Sequence, residues 1–188
     1  DALGGIADAV DYRVEFPWPL DSAGQGSSME LVNPSLDNNL GGSWRPSAGA
    51  PTPGAINSVY ADTAPPQLRQ VNHEPAQPLS TQPTIISVKA TDPDGILSVS
   101  VFYQIVAPGD YIPAFFPLNI PQLLADADQP RAPNPAFEDP ANWTEIPMMD
   151  DGSGDDAIPG DHVYSATLPG QANRTLVRYR IVAADAAA

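Results

Sequence analysis

The chain has 188 residues, enough for one large or two small domains, and 42% of them are hydrophobic, which is sufficient for a buried core. Its 23 prolines exclude a mainly helical protein, because proline inside a helix removes a hydrogen bond and clashes with the preceding turn. Eight basic against 23 acidic residues give a net charge of −15, and a field of that sign repels nucleic acid and anionic membrane surfaces. The absence of cysteine excludes disulfides, thiolate metal sites and thiol nucleophiles.

Composition divides the chain near residue 60. Residues 1–57 consist of short extended pieces broken by Gly, Asn and Pro, and no signal peptide or membrane span is evident at their start or elsewhere. Residues 58–66 are interpreted as a linker, because paired prolines favour a stiff extended chain. Residues 67–188 show the period of two that is typical of half-buried strands, and they form the predicted main domain.

Two long predicted strands of the main domain are joined by a turn at Asp92 to Gly95. Residues 84–91 alternate, with Ile86, Val88 and Ala90 on one face. Residues 96–106 give the strongest strand prediction, with Ser98, Ser100 and Gln104 facing outward. The residues expected inward are Leu97, Val99, Val101, Tyr103 and Ile105.

Four further strands are predicted at residues 68–72, 143–148, 163–168 and 175–183. Six short strands in roughly 120 residues favour an all-β fold, an antiparallel β-sandwich of immunoglobulin-like type. Arg178 and Arg180 are expected on its outer face. The predicted core consists of Leu97, Val99, Val101, Tyr103, Tyr164, Leu168, Val177, Tyr179 and Ile181.

A long proline-rich loop interrupts this domain at residues 107–141, with one possible helix over Ile120 to Asp128. It carries the aromatic residues Tyr111, Phe115, Phe116 and Phe137. Two roles stay open for these rings: they fold back over an edge of the sandwich, or they form a binding surface.

Catalytic motifs are not found in the sequence. The two histidines, His73 and His162, have no neighbours that would complete a triad or a histidine-rich metal site. The glycines of Gly24 to Ser28 lack the strand-to-helix context of a phosphate-binding loop, so a hairpin turn is the preferred interpretation. We therefore expect a protein that is not an enzyme and has no catalytic residues.

One acidic loop stands out between Asp150 and Asp161. Three glycines allow tight bends there, and oxygen ligands on such a loop suit calcium, although the spacing is not that of an EF-hand. The alternative is a series of turns in which each aspartate caps its own backbone. The candidate calcium ligands are Asp150, Asp151, Asp155, Asp156 and Asp161.

Residues 7–19, 24–38, the tryptophan of SWRPS (Trp44) and TPGAIN (Thr52 to Asn57) resemble the C-terminal half of a bacterial lamin-tail domain. The remainder, with the DDG, GD, GD and VYSA elements of residues 150–166, is similar to the immunoglobulin-like module that follows lamin-tail domains in large secreted bacterial proteins. There it often precedes a CotH-type kinase homology domain. The resemblance implies a partial β-sandwich over 1–57, a full one over 67–188, and a chain truncated at both ends.

The expected function is that of non-catalytic extracellular or cell-surface modules, which act as a spacer, display or adhesion region of a larger bacterial protein. Expected partners are other domains of the same polypeptide and possible cell-surface glycans or proteins. The alternative is an accessory carbohydrate- or substrate-binding region of an extracellular enzyme or CotH-like kinase protein. The partial domain is expected either to pack on the second domain, through Tyr12, Phe16 and Trp18, or to pair with a neighbouring molecule through unpaired strand edges.

Overall fold

The computed structural model of the chain describes residues 9–22, 24 and 26–186. The predictions for the first eight residues, and for Gln25 in the glycine turn, lie outside these residues. The chain divides into two compact units. The first comprises Asp1–Gln67, Thr91–Leu97 and Ala184–Ala188, and the second comprises Leu68–Ala90 and Ser98–Ala183.

The first unit contains a small antiparallel sheet of two strands, β1 (Met29–Leu31) and β2 (Trp44–Pro46). Short 3₁₀ turns lie at Leu20–Ser22 and Gly41–Ser43. Trp18 is only 7% exposed and packs against Trp44 at a ring-centroid distance of 6.3 Å. A Cβ at Gly41 would come within 2.9 Å of the Pro17 carbonyl carbon, so this approach requires glycine.

The three N-terminal aromatic residues, Tyr12, Phe16 and Trp18, differ in exposure. Tyr12 is 62% exposed and Phe16 is 89% exposed. Trp18 alone is buried, and its ring partner Trp44 belongs to the same unit. The tryptophan pair thus provides a local core, which the strand pattern of so short a sheet did not reveal.

Glu30 is the buried charge of the first unit. Its carboxylate accepts hydrogen bonds from Thr52 Oγ1 at 2.6 Å, from Ser58 N and Ser58 Oγ at 2.7 Å each, and from Ser28 Oγ at 3.2 Å. These bonds, led by the one from Thr52, lower the pKa of Glu30 from 4.5 to about 2. The ionised carboxylate therefore ties the segments around Thr52 and Ser58 to β1.

We expect Glu30 to make this unit acid-sensitive. Because its pKa is lowered on folding, its contribution is complete above about pH 4.5 and is lost as the pH falls to about 2. Glu30→Gln should be less stable than wild type at pH 6 and should lose less stability between pH 4.5 and 2. The measurement is urea unfolding followed by the amide NMR signals of residues 28–58.

Glu145→Gln, which removes an exposed carboxylate from another strand, is the control for net charge. Equal pH dependence of the two variants would contradict a structural role for the Glu30 carboxylate.

The second unit is built from two three-stranded sheets. The first has the order β3 (Gln67–Glu74), β4 (Thr84–Thr91), β7 (Val163–Leu168), and the second has the order β6 (Thr144–Pro147), β5 (Ile96–Val106), β8 (Leu176–Asp185). β4 pairs antiparallel with β7, and β5 pairs antiparallel with β6. The chain is therefore all-β with antiparallel sheets, as expected from the sequence.

The core of the second unit follows the predicted alternation on β4, β5 and β7. Ile86, Val88 and Ala90 are at most 1% exposed, and Val99, Val101, Tyr103 and Leu168 are buried with them. Burial of each such aliphatic side chain contributes roughly 1.5–3 kcal/mol, which fixes the face that each strand presents. Four other predicted core residues are half-buried: Tyr164, Val177, Tyr179 and Ile181.

Two predictions on β5 are wrong, since Leu97 is 69% exposed and Ile105 is 45% exposed. Both residues lie outside the stretch from Ser100 to Tyr103 that pairs with β6. Gln104, predicted to face outward, is only 1% exposed. Its Oε1 accepts a hydrogen bond from Arg178 at 3.1 Å.

Residues from both ends of the predicted loop contact Arg178, the hydrogen-bond partner of Gln104. Arg178 also donates to the carbonyl oxygen of Ile112 and lies 5.4 Å from the ring of Phe137. Arg180 lies 4.5 Å from the ring of Trp143 and pairs with the exposed Glu138 carboxylate at 2.6 Å. The arginines occupy the outer face as predicted. There they contact residues 107–142, which comprise the predicted loop and Asn142 and are called the 107–142 segment below, and Trp143 directly after it.

Within that segment the chain forms two short helices, α1 (Ile120–Ala125) and α2 (Pro135–Glu138). α1 ends three residues before the predicted helix and begins with a capping box of Asn119 and Gln122. Phe137 packs on Trp143 at 5.8 Å, as folding back predicts, whereas Tyr111, Phe115 and Phe116 stay exposed. No helix in the described part of the chain has the length and apolar character needed to cross a membrane.

Candidate functional site

The acidic loop connects β6 to β7, so it lies where the chain passes from one sheet to the other. Gly152, Gly154 and Gly160 have φ angles of 71°, 62° and 74°, which explains why glycine occupies the bends. Position 152 also has no room for a side chain, because a Cβ there would lie 2.7 Å from Pro159 Cδ. The glycines therefore fold the twelve residues back on themselves.

Three of the five predicted ligands come together in this loop. Asp150, Asp156 and Asp161 each place a carboxylate oxygen within 4.8 Å of the other two. Asp156 is 6% exposed, whereas the other two are half-buried. This is a compact set of hard oxygen donors on a loop, the ligand type that calcium takes.

The same three carboxylates accept backbone hydrogen bonds. Asp150 accepts from Gly160 N at 2.8 Å and from His162 N at 3.1 Å, which closes the loop across its base. Asp156 accepts from Gly152 N at 2.5 Å, and Asp161 accepts from Val163 N at 2.9 Å. The turn-forming role predicted as the alternative is therefore present in the structure.

The other two predicted ligands, Asp151 and Asp155, accept hydrogen bonds outside the group of three. Asp151 caps Ser153 through its backbone N at 2.9 Å and its Oγ at 2.7 Å, and these bonds lower the pKa of Asp151. Asp155 accepts a hydrogen bond from Thr167 Oγ1 on β7. Neither belongs to the close group, so a cation held there would use three aspartates at most from the predicted five.

The negative charge of the loop affects the pKa of the neighbouring Tyr164. Burial raises the pKa of Tyr164, and the negative charge of Asp150 raises it further, because both disfavour a phenolate. Tyr164 therefore stays protonated at neutral pH and is not a base.

The effect of calcium on thermal stability distinguishes a calcium site in the loop from turn formation alone. If the three aspartates bind calcium, saturation at about 100 times Kd adds ~2.7 kcal/mol to the free energy of unfolding. Asp161→Asn and Asp156→Asn should then abolish the calcium-dependent rise in Tm, while Asp126→Asn, in the 107–142 segment, keeps it. The measurement is thermal unfolding with millimolar calcium and with a chelator.

An unchanged Tm in calcium, together with destabilisation of the apo protein by Asp156→Asn, would leave the aspartates with their turn-forming role alone.

The two histidines occupy unrelated positions in the second unit. The His73 ring lies 6.4 Å from the Tyr179 ring in an edge-on arrangement, and its Nε2 lies 3.3 Å from the carbonyl oxygen of Ala76. His162 has a φ of 66° and serves through its backbone, whose carbonyl oxygen accepts from Ala90 N at 2.9 Å. These contacts of the two histidines are structural.

Sequence reasoning missed Glu30, although its pKa is strongly lowered. Its partners Thr52 and Ser58 follow 22 and 28 residues later in the chain. No short motif joins residues at that spacing. Only the isolation of one carboxylate between apolar neighbours in MEL gave a local signal.

No protein-family model matches the chain, and comparisons with curated proteins and with solved structures likewise give no significant match. The lamin-tail and CotH-associated resemblance therefore stays a prediction from the residues that carry it.

Proposed function

We propose that this chain is a pair of non-catalytic β-sandwich modules, the first of them incomplete, that act as a spacer, display or adhesion region of a larger secreted bacterial protein. The observation that carries the proposal is how the acidic side chains are used. Glu30 accepts from Ser58, 28 residues later in the chain, and Asp150 accepts from Gly160, ten residues later, across the base of the acidic loop. Groups with this role maintain the shape of a module, which is what a spacer requires.

The resemblance supports an extracellular or cell-surface location, since its members occur in large secreted bacterial proteins. The expected partners are other domains of the same polypeptide. A net charge of −15 suits a solvated module that stays apart from its neighbours, because charge of one sign opposes self-association.

We expect the purified chain to turn over no glycan, ester or phosphoryl donor. The test compares wild type with His73→Gln and with His162→Asn, since asparagine tolerates the positive φ of residue 162. Assays should give the buffer rate for all three proteins. A rate above buffer that disappears in either variant would contradict the proposal.

A second candidate function is the accessory binding of carbohydrate, and one observation favours it. Tyr111, Phe115 and Phe116 are 72%, 54% and 48% exposed, although the segment that carries them is ordered by backbone bonds between Phe116 N and Ala132 O and between Asn134 N and Ala114 O. Exposed rings on a fixed backbone offer apolar contact area at low entropic cost.

We expect carbohydrate binding, if this function applies, to depend on those rings. Phe115→Ala combined with Phe116→Ala should weaken retention on insoluble polysaccharides by at least about tenfold, the effect of losing roughly 1.4 kcal/mol of binding free energy. Leu124→Ala, which removes an exposed aliphatic side chain from α1, is the matched control. Equal retention of the double variant and the control would count against this candidate.

A further inference from the structure

A cavity of about 330 Å³ opens in the second unit, away from the acidic loop. Its floor is made by Ile86 and Leu168, which are buried core residues of β4 and β7. One wall carries Tyr179 of β8, with His73 edge-on to its ring at 6.4 Å. A volume of this size, with an apolar floor and a few polar groups, is typical of small-molecule sites.

The rim of the cavity is preformed by two turns that are bonded to each other. Thr81 N donates to the carbonyl oxygen of Gln171 at 2.8 Å. A Cβ at Gly170 would lie 2.1 Å from the carbonyl oxygen of Thr81, so the turns approach as closely as a glycine permits. The opening therefore belongs to a fixed part of the fold and needs no rearrangement to form.

The lining differs from the rest of the molecule in charge. Of the 188 residues, 23 are acidic, yet none of the described residues that line the cavity is Asp or Glu. The rim instead contributes Arg174 together with neutral amide and hydroxyl groups such as Gln82, Asn173 and Thr175. In a chain of net charge −15, this is a place where an anion meets a local cation.

Arg174 is held at the rim in an unfavourable backbone conformation. Its φ is 66°, in a turn closed by the bond from Thr175 N to the carbonyl oxygen of Ala172 at 3.2 Å, where glycine or asparagine would be free of strain. Arg174 makes no hydrogen bond or ion pair with any residue that the structure describes. No contact within the described part of the chain therefore explains an arginine at this strained position. Backbone strain of this kind is typical of binding sites.

We propose that this cavity binds a small organic carboxylate with an apolar, flat body. The carboxylate lies at the Arg174 guanidinium, which pairs well with planar anions, and the body lies between Tyr179 and the aliphatic floor. This site is independent of the module role proposed above, since a spacer needs no ligand.

The test uses benzoate as the probe and the full chain as the protein. Titration at constant ionic strength, followed by the amide NMR signals, should give shifts at Gln82, Thr175 and Val177 with a Kd of about 1 mM, which is reasonable for so small a ligand. Arg174→Gln should weaken binding about tenfold or more, as expected for loss of a charge-assisted pair. Arg131→Gln removes the same charge from an exposed position of the 107–142 segment and should leave the Kd unchanged.

Three further probes define the ligand. Benzyl alcohol, which lacks the charge, and acetate, which lacks the apolar body, should each bind at least about tenfold more weakly than benzoate. N-acetylphenylalanine presents the carboxylate as a peptide C-terminus does. Tighter binding than benzoate supports a peptide end as the source of the carboxylate, and weaker binding supports a free acid.

Arg174→Gly separates binding from folding. Glycine relieves the positive φ, so this variant should keep or raise the Tm while it loses benzoate binding. The proposal is overturned if benzoate causes no shifts at these residues up to about 20 mM, well above the expected Kd. It is also overturned if Arg174→Gln and Arg131→Gln bind benzoate equally, or if benzyl alcohol binds as tightly as benzoate.

Discussion

Proline and glycine keep much of this chain out of regular structure, so its backbone N–H groups depend on side-chain oxygens as acceptors. A buried N–H without a partner costs about as much free energy as a lost hydrogen bond, and the loops here avoid that cost locally. Asp150 accepts two backbone N–H groups across the base of the acidic loop, and Glu30 accepts one from Ser58 in the first unit. The same arrangement recurs at Asn119, whose Oδ1 accepts from Gln122 N at the start of α1. The acidic composition is therefore partly a requirement of the fold.

This use of carboxylates does not exclude a cation at the acidic loop. Each carboxylate oxygen has two lone pairs, so an oxygen that accepts one N–H group keeps capacity for a metal ion. The backbone bonds also hold Asp150, Asp156 and Asp161 close together at a separation where like charges repel. A cation would relieve that repulsion, and solvent does so less completely at Asp156, which is 6% exposed. The turn and the ion site are thus compatible arrangements of the same residues.

Much of the second unit could be predicted from alternation, because the pattern on β4 and β7 determines which side chains face inward. Alternation shows which face of a strand a side chain is on but not whether that face is covered, and Leu97 and Ile105, outside the stretch of β5 that pairs with β6, are exposed. Gln104 is buried although it was predicted to face outward, and its Oε1 accepts a hydrogen bond from Arg178, 74 residues later in the chain. In the acidic loop, proximity in sequence predicted the cluster but could not show which aspartates turn away to Ser153 or Thr167.

The arginines near β8 illustrate why position, more than composition, decides what a charge does. Arg178 lies over Phe137 of the 107–142 segment and Arg180 lies over Trp143, which directly follows it. Each cation–π contact of this partly exposed kind contributes about 0.5–1 kcal/mol. Both guanidinium groups thus already have partners in or beside that segment, and Arg180 also pairs with Glu138. Arg174 precedes the same strand by two residues, but its turn directs it to the rim of a cavity that contains no carboxylate among its described residues. Arg174 forms no ion pair with a carboxylate in the described part of the chain, and an anion from solution is the partner that we propose at that rim.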